Sequence, residues 1–486
     1  MSKFWRKLII LTLTAPMLGA CGDIFDLDIN TDPDAATEVE GDLLLPTVLA
    51  NLAANRAIEI SPGTAFHAQI WASNGSAGVF SDPERYIISS FTTGNTWSMI
   101  YTNGLKNLKL MRDQALASNP ARPNVASQAE ILSAYLYWMA TSLWETVPYT
   151  QAIQGDQFPQ PEFDDQETIL RGLVEQLDAA VAMIDPNGAP GVQEGDLLYG
   201  GDMQQWVKFA NSLKLRILMM IRNRDTSVDP QIQALLAEPL IRTVADEAEI
   251  PFFTEANNEN NLWRLNNLFG GFTDVMNGNA FVYAGAPLVD LMKSLDDPRL
   301  PTYWELAVTA DGSAYQTDEY FGQVAGVFQF GDETSMVSQN IVRRDWPSRI
   351  LTAAEVWFYE AEFLASTAGA AAAQTAYETG VQMALSYFNG KPGAIPAADQ
   401  TAYIAALPPA TLSAIHDQQY IEVFDRSPEN WVHWKRTHHP DLPLPQQAAL
   451  GDIIRRYNIP PDERSSNPNT PAPVPLTTPM WFEPTN

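Results

Sequence analysis

The stretch QAEILSAYLYWMATSLWETVPY, residues 128–149, is apolar on two helical faces and then breaks off in a proline-containing phrase. Ile131, Tyr135 and Trp138 recur on one face, and Leu132, Leu136, Met139 and Leu143 on another, at the three-and-four spacing of an α-helix. One apolar stripe suits a helix lying on a core, whereas two require neighbours on both sides. The stretch therefore predicts a buried helix over 128–144, packed between others.

Its surroundings supply those neighbours. Trp97, Tyr101, Leu105, Leu108, Met111 and Ala115 form one stripe, with Lys106, Lys109, Arg112 and Asp113 off it, which predicts a single amphipathic helix over 97–117. Ile169, Leu173, Leu177, Val181 and Ile184 repeat the pattern over 167–184, and the DPNG at 185–188 stops it. Further helices are predicted over 206–221, 351–366, 371–388 and 412–424, joined by turns such as NGKP at 389–392. Antiparallel helix pairs follow. Their alanine and tyrosine spacing is similar to that of tetratricopeptide repeats, although no period of about 34 residues can be laid cleanly over the chain. The expected fold class is all-α, mainly helical, with a tetratricopeptide-like scaffold of helical hairpins.

Long irregular stretches separate these helices at about 61–95, 256–283 and 310–346, rich in Asn, Gly and aromatic residues. Loops of such length are functional or disordered, and their aromatic content argues against disorder. The tail from Pro460 carries eight prolines in 27 residues and ends in Trp481-Phe482. It should run extended over the surface and dock its last aromatic pair.

The amino terminus has a different purpose. Lys3, Arg6 and Lys7 precede a run from Leu8 to Ala20 that is apolar apart from two threonines, the layout of a secretory signal peptide. The run is shorter than the roughly 20 residues of a membrane-spanning helix. The only cysteine, Cys21, closes the phrase Leu18-Gly19-Ala20-Cys21, which resembles the lipobox of bacterial lipoproteins. Cleavage before Cys21 and acylation of its thiol follow from that resemblance. Removing residues 1–20 takes away three cations and no acid, so the net charge moves from −29 to −32. So negative a surface excludes nucleic acid and electrostatic binding to anionic lipid, and leaves acyl chains to hold the protein to a membrane. Residues 21–40 read as a flexible acidic segment next to the lipid, and 41–486 as a single domain. An EF-hand loop starting at Asp28 would place glycine and glutamate where Pro33 and Val39 stand, so a turn is the better reading and only a looser calcium site stays open. No cofactor is called for.

Several phrases together carry a family resemblance. They are Cys21-Gly22-Asp23 with LDINT at 27–31, LWETVPY at 143–149, WVKFANSLKLR at 206–216, SLDDPRL at 294–300, Ala361-Glu362, and Asn430-Trp431 running into KRTHHPDL at 435–442. In order and spacing they resemble the SusD/RagB-type nutrient-binding outer-membrane lipoproteins, in the SusD-like branch. His438, where such proteins commonly have glycine, and Ile459-Pro460-Pro461, where a tyrosine-proline pair is usual, depart from the pattern. The resemblance implies a loop-rich ligand-binding subdomain on the helical scaffold, and a TonB-dependent transporter barrel as partner. It also implies oligosaccharide or peptide ligands captured on the outer face of the outer membrane, with no catalysis.

The residues fit that role. A sugar offers apolar C–H faces and a rim of hydroxyls, so its binder needs aromatic platforms beside amides and acids. Trp71, Asn74, Tyr86 and Trp97 in the first loop, and Asn257, Asn260, Trp263, Asn277 and Tyr283 in the second, supply both types. Of these, Trp71, Asn74, Tyr86, Trp97, Trp263, Asn277 and Tyr283 are the candidate ligand-binding residues. Any single tryptophan is more often core than platform, so the argument rests on density. His433, His438 and His439 lie close in sequence, but without HExxH spacing they do not read as zinc ligands. An all-helical glycoside hydrolase with a carboxylate pair would share this composition, and a surface adhesin is a third class.

Overall fold

The computed structural model describes residues 40–73, 78–268, 282–307, 318–327 and 334–485; the leader, Cys21 and the acidic segment through residue 39 lie outside them. Gly41–Asn486 form one compact unit.

Helix α1, Leu44–Asn55, buries Leu45, Val48, Leu49 and Leu52, and continues through a π turn at Arg56–Ile60 into α2, Ser61–His67. Strand β1, Trp71–Ser73, precedes α3, Gly78–Glu84, and α4, Ser90–Ser98. A second π turn, Met99–Leu105, leads into α5, Lys106–Ala117. The helix expected over 97–117 is thus the latter part of a longer run with a widened turn inside it. The stretch 61–95, expected to be irregular, holds α2, α3 and β1: its Gly, Ser and Asn residues have low helix propensity, and packing overrides that preference.

The buried helix appears as α6, Pro123–Trp144, opened by proline in its first turn, where a missing N–H costs nothing. It packs between α5 and α7, Gln166–Met183, and α7 packs in turn on α8, Met203–Arg222. Both later helices are capped by aspartate. Asp165 accepts from Thr168 N at 2.8 Å, and Asp202 from Gln204 N at 2.9 Å. This half of the molecule shares one core, in which Leu132, Trp138, Leu173, Trp206 and Leu218 are buried.

The chain continues through α9, Asp229–Leu235; β2, Ala248–Ile250; α10, Asn261–Leu268; β3, Val282–Ala284; α11, Ala286–Ser294; and α12, Leu300–Tyr303. Strand β4, Ser348–Leu351, pairs antiparallel with β2. A hairpin of α13, Ala353–Ala368, and α14, Ala370–Ser386, turns at Gly369; α15, Ala397–Ala405, α16, Leu412–Glu422, and α17, Glu429–Thr437, complete the helical frame. A second core gathers Trp71, Leu288, Trp304, Phe358, Tyr377, Tyr420 and Phe424. The fold is mainly helical, consistent with a tetratricopeptide-like scaffold.

Buried ion pairs tie the helices of both cores together. Arg216 on α8 grips Glu355 on α13 with two bonds of 2.7 and 2.8 Å, and Arg426 reaches Glu355 and Glu422 at 2.6 Å each. Arg56 meets Glu429 at 3.0 Å, and Tyr135 donates to the same carboxylate at 3.0 Å. Burial alone would push the Glu355 carboxyl up, but Arg216 and Arg426 overcome it and hold it at about 2.

After α18, Pro461–Ser466, the proline-rich tail lies along the surface. Its end is anchored: Met480 and Phe482 are buried, Arg456 donates to the carbonyls of Thr478 and Pro479, and Trp481 N donates to Glu145 at 2.7 Å.

Candidate functional site

Parts of the three long stretches meet at one place. Strand β1 pairs antiparallel with β3 in the register Trp71 to Ala284 and Ser73 to Val282. Met336 bridges to Tyr283, and Gln323 to Gly285. Gln323 also donates its side-chain amide to Ser73 O at 2.7 Å, while Gly285 N donates to Ile70 O at 2.9 Å. A Cβ on Gly285 would lie 2.0 Å from Gln69 O, so only glycine lets these backbones approach. A compact subdomain thus grows from segments that are distant in sequence.

Most of the candidate aromatics are packed into the cores instead of facing outwards, Tyr86 and Trp97 in the first, Trp71 in the second and Tyr283 in the small cluster at the sheet. Trp71, Tyr86, Trp97 and Tyr283 are 2%, 2%, 7% and 3% exposed, which corrects their assignment as open platforms. Trp71 packs on the edge of Phe424, and Tyr86 stands over the ring of His67. Tyr283 belongs to the small cluster with Ala72 and Met336. Trp97 is wedged between Tyr101, Trp144 and Phe163, with one edge lining a cleft of about 740 Å³. The physical reason is common to all four: a large aromatic ring that can reach a core gains more by burial than by display. Asn74 and Asn277 lie outside the described residues.

Trp263, in the first turn of α10, is partly buried against the second core and keeps part of its surface open. The Arg344 guanidinium lies over it, 4.5 Å from the ring centre, and also donates to Thr254 O at 3.1 Å. Asn260 fixes this geometry. Its Oδ1 accepts from Leu262 N and Trp263 N as the cap of α10, its Nδ2 donates to Trp346 O, and its backbone N–H donates to Arg344 O. Phe253, 47% exposed, stands next to Thr254, so Phe253, Trp263 and Arg344 sit on one hydrogen-bonded unit. Asn257 and Asn258 are exposed beside it. Phe253 and Arg344 escaped the sequence reading: Phe253 lies just before the second loop, and nothing in sequence pairs Arg344 with Trp263. A planar ring, a planar cation and amides at a rim can hold a polyol by stacking and hydrogen bonds.

Beside strand β1 Glu84, the last residue of α3, is fully buried. Burial pushes its carboxyl up to about 8, against the opposing influence of the Gly326 and Ser73 backbone and the Arg85 charge. It is a neutral acid at pH 7.

The histidines divide differently from their order in sequence. His438 turns to Glu483 and Arg455, and His439 to Asp417 at 2.6 Å, whereas the rings of His416, His433 and His439 neighbour one another. Among the described residues no group of three or more His, Cys, Asp or Glu side chains is arranged to hold a metal ion.

The helical frame thus carries loop segments in which Phe253 is exposed and Arg344 lies over a partly buried Trp263. The chain belongs to the SusD-like family described as starch-binding and associating with the outer membrane, whose profile matches residues 33–460. No curated protein matches it. Solved structures share the fold. A chitin-binding protein superposes with a TM-score of 0.75 at 22% identity, covering 88% of this chain and 94% of its own. A SusD-like protein from Bacteroides thetaiotaomicron gives 0.70 at 20% identity, with 88% and 94% covered. An outer-membrane protein from Bacteroides vulgatus, linked to nutrient binding, gives 0.69 at 19%, with 89% and 95% covered.

Proposed function

We propose that this protein is a surface-exposed lipoprotein, held in the outer membrane by acyl chains on Cys21, that captures an oligosaccharide and hands it to a TonB-dependent transporter without chemical change. The observation that carries the glycan reading is the partly open Trp263 with Arg344 stacked on it and amides at its rim, in a chain of a starch-binding family. Aromatic stacking gives affinity for the apolar face of a sugar ring, and the guanidinium and amides read its hydroxyls. A neutral glycan fits better than an acidic one, because the chain carries 58 acidic residues against 29 cations and repels like charge.

The anchor and the delivery are tested together in cells. The native protein should sediment with outer membranes and co-purify with a barrel transporter after mild detergent extraction. Cys21→Ala should release it from the membrane fraction. A Cys21→Ala variant that remains fully membrane-bound would contradict the lipid anchor, and extraction without any barrel would contradict the delivery role.

A further inference from the structure

A second cleft lies away from the loop subdomain, on the helical scaffold, and has a volume of about 950 Å³. That is the size of pocket that takes a drug-sized or short oligomeric ligand. Its wall is built from α5, α6 and α7, and its rim from the segment after the LWETVPY phrase. Asp164 fixes that rim by accepting from Tyr149 N at 3.0 Å and Thr150 N at 2.8 Å. Gly172 on α7 lets the Tyr149 ring lie directly on the helix, since a Cβ there would come within 2.7 Å of Cε1. The Tyr137 ring meets Tyr149 edge to face at 4.9 Å.

The polar wall on the helices is pre-ordered by ion pairs. Glu130 accepts from Arg112 at 2.7 Å with one carboxylate oxygen and from Gln176 at 2.7 Å with the other. Arg112 and Lys109 both reach Asp113, so the two cations in the lining are matched by Asp113 and Glu130. Asp156 at the rim adds a further carboxylate, so the cleft as a whole leans negative and disfavours an anion. Planar carboxylate, guanidinium and amide groups locked beside tyrosine rings are instead suited to the paired hydroxyls and C–H faces of a neutral sugar.

We propose that this cleft is a second glycan site, which takes a short neutral oligosaccharide independently of the loop face around Trp263. The inference rests on the glycan reading of the function. Two sites on separate elements would let one molecule hold a long chain at two points, raising apparent affinity for polymers above that for short fragments.

Ser133, half-buried on α6 one turn from both Glu130 and Tyr137, tests it without touching the polar network. Ser133→Trp fills the cleft, and Ser133→Ala controls for loss of the hydroxyl. Calorimetric titration of the full chain from Gly22 with a panel of neutral oligosaccharides is compared with Trp263→Ala and the double variant, thermal unfolding verifying that each is folded. The expected result is a stoichiometry of two for the wild type and Ser133→Ala, one for Ser133→Trp, one for Trp263→Ala, and none for the double variant. Unchanged stoichiometry and affinity in Ser133→Trp overturns the second site while leaving the loop-face reading intact. Loss of all binding in Ser133→Trp, with Trp263→Ala unaffected, upholds the cleft and overturns the loop face. No binding of any glycan by the folded wild type overturns both.

Discussion

At the scale of single residues, display and burial separate the tryptophans. Trp263 keeps part of its surface open under Arg344, whereas Trp71 is closed into the second core. Trp263→Ala should therefore weaken glycan binding at the loop face at least about a hundredfold, about 2.8 kcal/mol, enough to remove that site from the titration, with little change in melting temperature. Calorimetry and thermal unfolding read the two effects separately, and a large loss of stability with unchanged affinity would reverse the assignment. Glu84 makes a second prediction. Its folded pKa of about 8 lies above the ordinary 4.5, so the folded state retains a proton that the unfolded chain releases. The stability tied to the neutral acid is complete below about pH 4.5 and is lost as pH rises through about 8. Glu84→Gln keeps a neutral amide there, so its melting temperature should gain on the wild type progressively between about pH 5 and about pH 9. Parallel curves would show that Glu84 is not the buried acid described. None of this was legible in sequence, where Trp71 and Trp263 look alike: burial is set by which distant segment folds over a ring.

Among elements, periodicity was informative. Two apolar faces marked α6 as buried, and single stripes marked α5 and α7. The stretch 61–95 was misjudged because Gly, Ser and Asn weaken local helical preference, while α2 and α3 gain their stability from packing. Also invisible was the ion network, whose members span more than 370 residues between Arg56 and Glu429. Removing one partner is the sharp test. Glu355→Ala takes the shared carboxylate from buried Arg216 and Arg426, leaving Arg216 only Glu429 and Arg426 only Glu422, and should destabilise the fold by about 3 kcal/mol. Replacing Glu355 and Arg216 together by Leu and Met should cost clearly less than the sum of the single changes, as read by denaturant unfolding. Additive costs would mean that the two side chains do not act as a pair.

Across the whole molecule, the ends and the loops depend on the helical frame. The family and its helical hairpins were readable because many short phrases occur in order over the chain, whereas the small sheet subdomain was not, since β1, β3 and residues 323 and 336 meet only in three dimensions. The tail acts as a clasp. Glu483 pairs with Arg455 and His438, and Phe482 fills the first core. Deleting residues 477–486 should lower the melting temperature by several degrees while leaving the loop-face affinity unchanged, because the clasp closes on α6 and α17 and not on Trp263. Loss of binding in the deleted but folded chain would instead tie the tail to the site. Capture without chemistry is decided by calorimetric titration of the chain from Gly22 with neutral oligosaccharides, followed by product analysis of every mixture. The account predicts saturable binding that Trp263→Ala weakens, with every oligosaccharide recovered intact; shortened products that vanish on changing a single carboxylate would contradict it.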